Sequence, residues 1–260
     1  MDWLYTVSGF AVGLIVGITG VGGGSLMTPL LVLLFGIAPA TAVGTDLLYA
    51  SLTKLGGSWV HGRRGTVDWL IVRRLATGSI PAALLSLWLL HALQLDGKHF
   101  KTLITFVLSI ALVLTALALL LKPRVQKLGQ RKDGAILELH AHHLPAATIL
   151  TGAVLGVLVT ISSVGAGALG MVVLLFLYPR HRPVTLVGTD IAHAVPLTLV
   201  AGLGHAALGT VDYALLGALL LGSLPGIWLG SHLSTRIPEK ILRPLLASML
   251  MLIGGRLLLA

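Results

Sequence analysis

Gly17-Ile18-Thr19-Gly20-Val21-Gly22-Gly23-Gly24-Ser25-Leu26 lies in the middle of an apolar run that extends from Trp3 to about residue 36. A continuous helix over 3–36 would be about 50 Å long, far more than one crossing of a ~30 Å hydrocarbon layer requires. Glycine leaves helical φ/ψ more readily than any other residue, and Gly20, Gly22, Gly23 and Gly24 crowd into five positions. The run is therefore expected to break there into two shorter helices, roughly 3–18 and 25–36. Backbone that leaves the helix inside lipid must be buried in protein or line a wet cavity, because its N–H and C=O groups have no other partner.

The cluster has a second copy. Val21-Gly22-Gly23-Gly24-Ser25-Leu26 recurs as Val164-Gly165-Ala166-Gly167-Ala168-Leu169, slipped by one residue from a wider repeat at an offset of 144. That offset pairs Gly44-Thr45-Asp46 with Gly188-Thr189-Asp190, and His61 with His205. It also pairs Gly65-Thr66-Val67-Asp68 with Gly209-Thr210-Val211-Asp212, and Gly78-Ser79-Ile80-Pro81 with Gly222-Ser223-Leu224-Pro225. Several matches in one order identify a duplicated unit, and a duplicated, intensely apolar unit points to a membrane transporter.

Composition agrees. Hydrophobic residues make up 56% of the 260 and charged residues only 10%, whereas a soluble domain carries about 25% charged residues. Apolar stretches 38–60, 68–92, 101–121, 183–206, 211–233 and 239–258 each approach or exceed the ~20 residues of a crossing. The chain is read as an all-α polytopic membrane protein of two inverted-topology repeats, each a glycine-broken first segment followed by three transmembrane helices. The repeats span 1–121 and 145–260, joined by a basic cytoplasmic loop over 122–144. The net charge of +9 does not indicate a nucleic-acid face, since Lys and Arg sit in the short connections, where they set topology. With no cysteine the chain has no disulfide, thiolate metal site or cysteine nucleophile. No cleavable signal peptide is evident in the run that begins Met1-Asp2-Trp3.

Inversion follows from the positive-inside rule. If each broken segment returns to the side it started from, 15 of the 18 Lys and Arg fall on the side of the central loop, leaving Lys98, Lys101 and Arg256 opposite. Arg63-Arg64 in the first His-x-x-x-Gly-Thr-Val-Asp turn becomes Ala207-Leu208 in the second, as loops on opposite faces should differ.

Two breaks near mid-membrane would bring two helix N-termini together, beginning at Ser25 and Ala168, and their N–H groups and positive dipole ends suit an anion. Small glycine-rich patterns also permit close helix packing. The candidate substrate-binding residues are Gly20, Gly22, Gly23, Gly24, Ser25, Gly165 and Gly167, with Gly44, Thr45, Gly188 and Thr189. An intramembrane carboxylate is functional by default, so Asp46 and Asp190 are candidates for proton coupling, with capping of helix ends the alternative. His193, which pairs with Tyr49 in the repeat, is a third such candidate, against a structural histidine between helices. Lys54 has no charged counterpart, since Thr198 occupies its place; it is expected to snorkel to the cytoplasmic headgroups, with contact to the substrate the alternative. Thr66 and Thr210 read as N-caps with Asp68 and Asp212 in the first turns, and Pro81 and Pro225 as kinks. Glu138, His140, His142 and His143 read as an interfacial polar tail rather than a metal cluster.

The pattern Gly17-Ile18-Thr19-Gly20-Val21-Gly22-Gly23-Gly24-Ser25-Leu26, then Pro29, then Ala42-Val43-Gly44-Thr45, resembles the TauE/SafE sulfite exporter family over nearly the whole chain. The second copy departs from it, with Ser162-Ser163-Val164-Gly165-Ala166-Gly167 in place of the glycine-richer form and no proline following. The resemblance implies transport of sulfur-containing anions such as sulfite, sulfoacetate or other organosulfonates across the bacterial inner membrane. No Walker-type phosphate loop is present, so a secondary transporter rather than an enzyme or ATP-driven pump is expected, with no cofactor. Its partners are a small anionic substrate and the lipid bilayer, with no nucleic acid; pairing of two copies into a homodimer is left open. A cation or metal-ion carrier using the intramembrane Asp and His residues is the alternative.

Overall fold

The computed structural model describes residues 3–19, 24–93, 97–130, 134–233 and 239–259, and every regular element among them is helical. The first repeat contains α1 (Trp3–Thr19), α2 (Gly24–Leu33), α3 (Pro39–Arg63), α4 (Trp69–Ala92) and α5 (Gly97–Gln130). The second contains α6 (Gly134–Ser162), α7 (Ala168–Leu177), α8 (Pro183–Ala207), α9 (Tyr213–Leu233) and α10 (Glu239–Leu259). Each repeat thus has a broken pair of helices and three long ones. Of the stretch read as a loop over 122–144, residues 122–130 and 134–144 belong to the flanking helices α5 and α6, because their Leu, Lys, Arg, Gln and Ala residues favour helix as strongly as the apolar segments do.

Among the described residues, five helices are long and apolar enough to cross a membrane: Trp69–Ala92, Lys98–Arg124, His143–Ser162, Pro183–Ala207 and Tyr213–Gly230. They carry exposed Leu, Val and Phe side chains outward, and all five tryptophans are exposed, the pattern of a surface solvated by lipid with aromatic anchors. α3 has the length of a crossing but is less apolar, and protein rather than lipid surrounds its first half. Every residue from Ala42 to Ser51 is buried.

The repeated turns explain how long helices reverse. After α3, Gly65 takes φ +64, the Thr66 N–H donates to the His61 carbonyl at 3.0 Å, and the Thr66 hydroxyl and His61 Nδ1 lie 2.8 Å apart. Asp68 then caps α4, its Oδ1 accepting from the N–H groups of Leu70 and Ile71. Gly209, Thr210, His205 and Asp212 repeat this before α9. The aspartates are therefore the caps, and the threonines close the turns. A carboxylate two residues before the first free amides reaches them directly, while each threonine hydroxyl is engaged by its histidine.

The halves interlock reciprocally. The Asp68 N–H donates to Thr189 Oγ1 at 2.9 Å, and the Asp212 N–H donates to Thr45 Oγ1 at 3.0 Å. The start of α3 therefore meets the turn after α8, and the start of α8 meets the turn after α3, so these two central helices run antiparallel. α1 runs parallel to α9 and α4 to α6, in pairs that approach through glycine. A Cβ on Gly222, Gly226 or Gly230 would strike the backbone of Thr6, Phe10 or Leu14, and one on Gly152 or Gly156 that of Leu75 or Ser79.

These contacts sort the connections onto two ends of the bundle. One end gathers the α3–α4 turn with Arg63 and Arg64, and the α7–α8 connection with Arg180 and Arg182; His181 reaches Asp68 at 3.2 Å there. The other gathers the α8–α9 turn and the α2–α3 connection. There a groove of about 640 Å³ brings Gly36–Pro39 against Lys98, Lys101 and the end of α10.

Candidate functional site

The second helix break opens beside the middle of α3. Three residues there have positive φ, Ser163 at 58°, Gly165 at 119° and Gly167 at 133°, so α6 ends and α7 restarts with no side chain capping its first turn. Ser163 gives this break a hydroxyl where the first has Gly20, and Ser162 stands in the place of Thr19. Ser162 folds back to bond the carbonyl of Leu158 at 2.6 Å, and Ser163 reaches across the repeat boundary to donate to Asp46 Oδ2 at 3.0 Å. Thr28, one turn into α2, donates to the same oxygen. Asp46 therefore ties the helix after the first break to the loop of the second, while its other oxygen, Oδ1, is fully buried without a hydrogen-bond partner.

Lys54 lies two helical turns further along α3. It does not snorkel: its side chain is buried, and its ammonium donates to the Ala166 carbonyl inside the second break at 2.8 Å. Burying an ammonium costs several kcal/mol unless other charges compensate, and both Asp46 and Asp190 are near enough to act on it electrostatically. That compensation keeps the lysine inside. Asp190 rests a carboxylate oxygen against Gly170, in the first turn of α7, where negative charge complements the helix dipole. The hydroxyls that hold Asp46 have no equivalent there, since Met171 stands where the repeat places Thr28.

His193 lies one turn beyond Asp190, with Nε2 2.8 Å from the hydroxyl of Ser79 on α4 and Nδ1 buried without a partner. In the reciprocal place the buried Tyr49 turns its hydroxyl toward Ser223 on α9. Buried polar groups are seldom left open, at about 1–3 kcal/mol each. The presence of two such atoms, Asp46 Oδ1 on α3 and His193 Nδ1 on α8, therefore marks this interior as a place for a polar guest or a moving proton.

The predicted site residues divide into three groups. Asp46, Asp190, Gly165 and Gly167 converge around the second break, with His193 one turn away. Gly44, Thr45, Gly188 and Thr189 hold the repeats together: each threonine accepts an N–H from the opposite turn, and a Cβ on Gly44 or Gly188 would meet the backbone of Thr210 or Thr66. Gly20, Gly22 and Gly23 lie outside the described residues, and Gly24 and Ser25 open α2. Sequence reasoning passed over Thr28, Ser79 and Ser163. Their signal was faint but present, in hydroxyl residues adjoining the glycine clusters and the Gly-Ser pair. Among the described residues no three of His, Asp and Glu gather as metal ligands.

Comparison with known proteins agrees with this picture. The family model described as sulfite exporter TauE/SafE matches residues 5–257. The chain is 40% identical over 250 residues to the probable membrane transporter protein YjnA of Bacillus subtilis, covering 96% of this chain and 97% of that one. It is 28% identical to the probable membrane transporter protein YdhB of the same organism, covering 94% and 97%. A probable membrane transporter protein of Methanocaldococcus jannaschii is 26% identical over 96% of this chain and 93% of its own. No solved structure matches. A duplicated, lipid-facing helical bundle with charged residues sealed at a helix break, matched end to end by one family, has one assignment: the chain is a multi-pass membrane transporter of the TauE/SafE sulfite exporter family.

Proposed function

We propose that the protein is a secondary transporter for small sulfur-containing anions, sulfite or an organosulfonate, held between the two helix breaks and exchanged together with a proton. The observation that carries this reading is the break at Ser163–Gly167. Irregular backbone opens there onto buried Asp46, Lys54 and Asp190 beside the uncapped start of α7. Helix N-termini and an ammonium favour an anion over a cation. Substrate class comes from the family, whose name specifies sulfite export.

Proton coupling follows from counting charge. Asp46, Asp190 and Lys54 sum to −1 when all are ionised, and an entering anion makes the buried site more negative still. Uptake of a proton by one carboxylate restores the balance, and Asp190, without the hydroxyls that bind Asp46, is the carboxylate suited to receive it. His193, close to both α4 and the interior, offers the relay. The two repeats would expose the site alternately by rocking against each other, the protein lying in the bacterial inner membrane with the Arg63–Arg64 end in the cytoplasm.

The test is flux of radiolabelled sulfite into proteoliposomes. Wild-type protein should carry sulfite faster under an imposed proton gradient, and Asp190→Asn should lose at least about tenfold of that stimulation, ~1.4 kcal/mol of coupling, while still exchanging sulfite for sulfite. Absence of sulfite or sulfonate flux from wild-type protein would remove the reading.

A further inference from the structure

We infer that Lys54 supplies the positive charge to which the transported anion binds, swinging from the Ala166 carbonyl to the anion at the start of α7, so that the second helix break alone forms the charged half of the site. This rests on the anion-transport reading above and sharpens it from two equivalent half-sites to one.

The duplicated chain contains its own control. Thr198 stands in α8 where Lys54 stands in α3, and it is content with a bond from its hydroxyl to the Ala194 carbonyl at 2.8 Å one turn back. The same central packing position is therefore filled by a small neutral residue in one repeat, so the architecture does not demand an ammonium in the other. A lysine is costly there, and neither lipid nor water receives it. Its side chain instead crosses from the first repeat into the break of the second and bonds a neutral carbonyl. A carbonyl offers the ammonium only the negative end of a dipole, whereas an oxyanion at the same spot adds the attraction of a full opposite charge. The four-carbon stem lets the ammonium turn without moving the helix, and glycine at 165 and 167 leaves no side chain on either side of Ala166 to block the turn.

The geometry also selects a ligand class. An ammonium is a compact point charge with rotatable donors, whereas a guanidinium fork matches the plane of a carboxylate. Lysine beside the uncapped start of α7 therefore suits the three oxygens of a sulfite or sulfonate head. The unpartnered, buried Nδ1 of His193 lies on α8 one turn from Asp190, where it gives the proton gained on binding a path to that carboxylate.

The experiment measures sulfite binding to detergent-purified full-length protein by calorimetry, with melting temperature recorded without ligand. Lys54→Thr, which installs the residue of the other repeat, should weaken sulfite binding at least about tenfold while the unliganded protein still melts cooperatively. Because the chain has no cysteine, Lys54→Cys gives a second route. Alkylation with 2-bromoethylamine rebuilds an ammonium of nearly the same length and should restore binding, and alkylation with iodoacetamide should not. Folded Lys54→Thr protein that binds sulfite as tightly as wild type, or equal binding after the two alkylations, overturns the assignment of Lys54 and leaves anion transport standing. Wild-type protein that binds and carries neither sulfite nor sulfonates overturns both.

Discussion

Gly170 shows how closely the interior is fitted around its charges. A methyl group there would collide with the Asp190 carboxylate, and both residues are buried. Gly170→Ala should therefore lower stability by about 1–3 kcal/mol, read as a fall in melting temperature in detergent. Asp190→Ala in the Gly170→Ala background should recover part of that loss, because the pair shares one contact and its effects cannot add. Simple addition of the two losses would mean the methyl group is accommodated elsewhere. The same residues show where sequence stops informing. Asp46 and Asp190 stand in identical Gly-Thr-Asp triplets and read as equals, but two hydroxyls hold the first and a glycine receives the second. That difference arises from Thr28 and Ser163, residues distant in the chain whose approach only the fold reveals. Lys54 was misjudged for a related reason, since a lone cation on an apolar helix looks like a snorkelling one until its acceptor, 112 positions away, is known.

Helices in lipid gain little from burying apolar surface, so close approach through small residues decides which of them pair. α9 carries Gly222, Gly226 and Gly230 at intervals of four, and the backbone of α1 lies directly against all three. α1 answers with Gly9 and Gly13 against Leu219 and Ser223, and α4 and α6 repeat the arrangement through Gly78, Gly152 and Gly156. Gly226→Leu should push α1 from α9 and destabilise the protein by about 3 kcal/mol or more, the upper range for overpacking a tight contact. Gly217→Leu, on the same helix facing open space, should stay within about 0.5 kcal/mol of wild type. Thermal melting of the two variants side by side checks the pair, and similar losses in both would show that helix propensity rather than packing is being measured. Here the spacing was visible in the sequence, while the partner was not. Equivalence by an offset of 144 says that α4 and α9 are alike; it cannot say that each packs on the broken segment of the other repeat.

Reciprocity of that kind fixes the plan of the whole molecule. Two central helices of equivalent sequence run antiparallel, bound by Thr45 to the turn after α8 and by Thr189 to the turn after α3. Helices of one duplicated unit that cross a membrane in opposite senses belong to repeats inserted in opposite senses, which supports the inverted arrangement. The broken segments fit it as well. α6 follows the end of α5, and α7 delivers the chain to the end of the bundle that holds Arg63 and Arg64, so α6 and α7 leave and return on one side. Lys98 and Lys101 line the groove at the opposite end, which is the partition that the positive-inside rule requires. An odd number of net crossings per repeat is what the charge pattern proposes, whereas the interlocking that joins the two halves into one body leaves no trace in it. Sidedness can be measured on this chain without first removing any native thiol, because it has none. Single cysteines at Arg64→Cys and Ala207→Cys fall in equivalent, exposed turns of the two repeats. A membrane-impermeant maleimide added to intact spheroplasts should label Ala207→Cys at once and Arg64→Cys only after permeabilisation. Labelling of both from the same side would mean that the repeats are parallel and that α3 and α8 cannot both span the bilayer as they lie here.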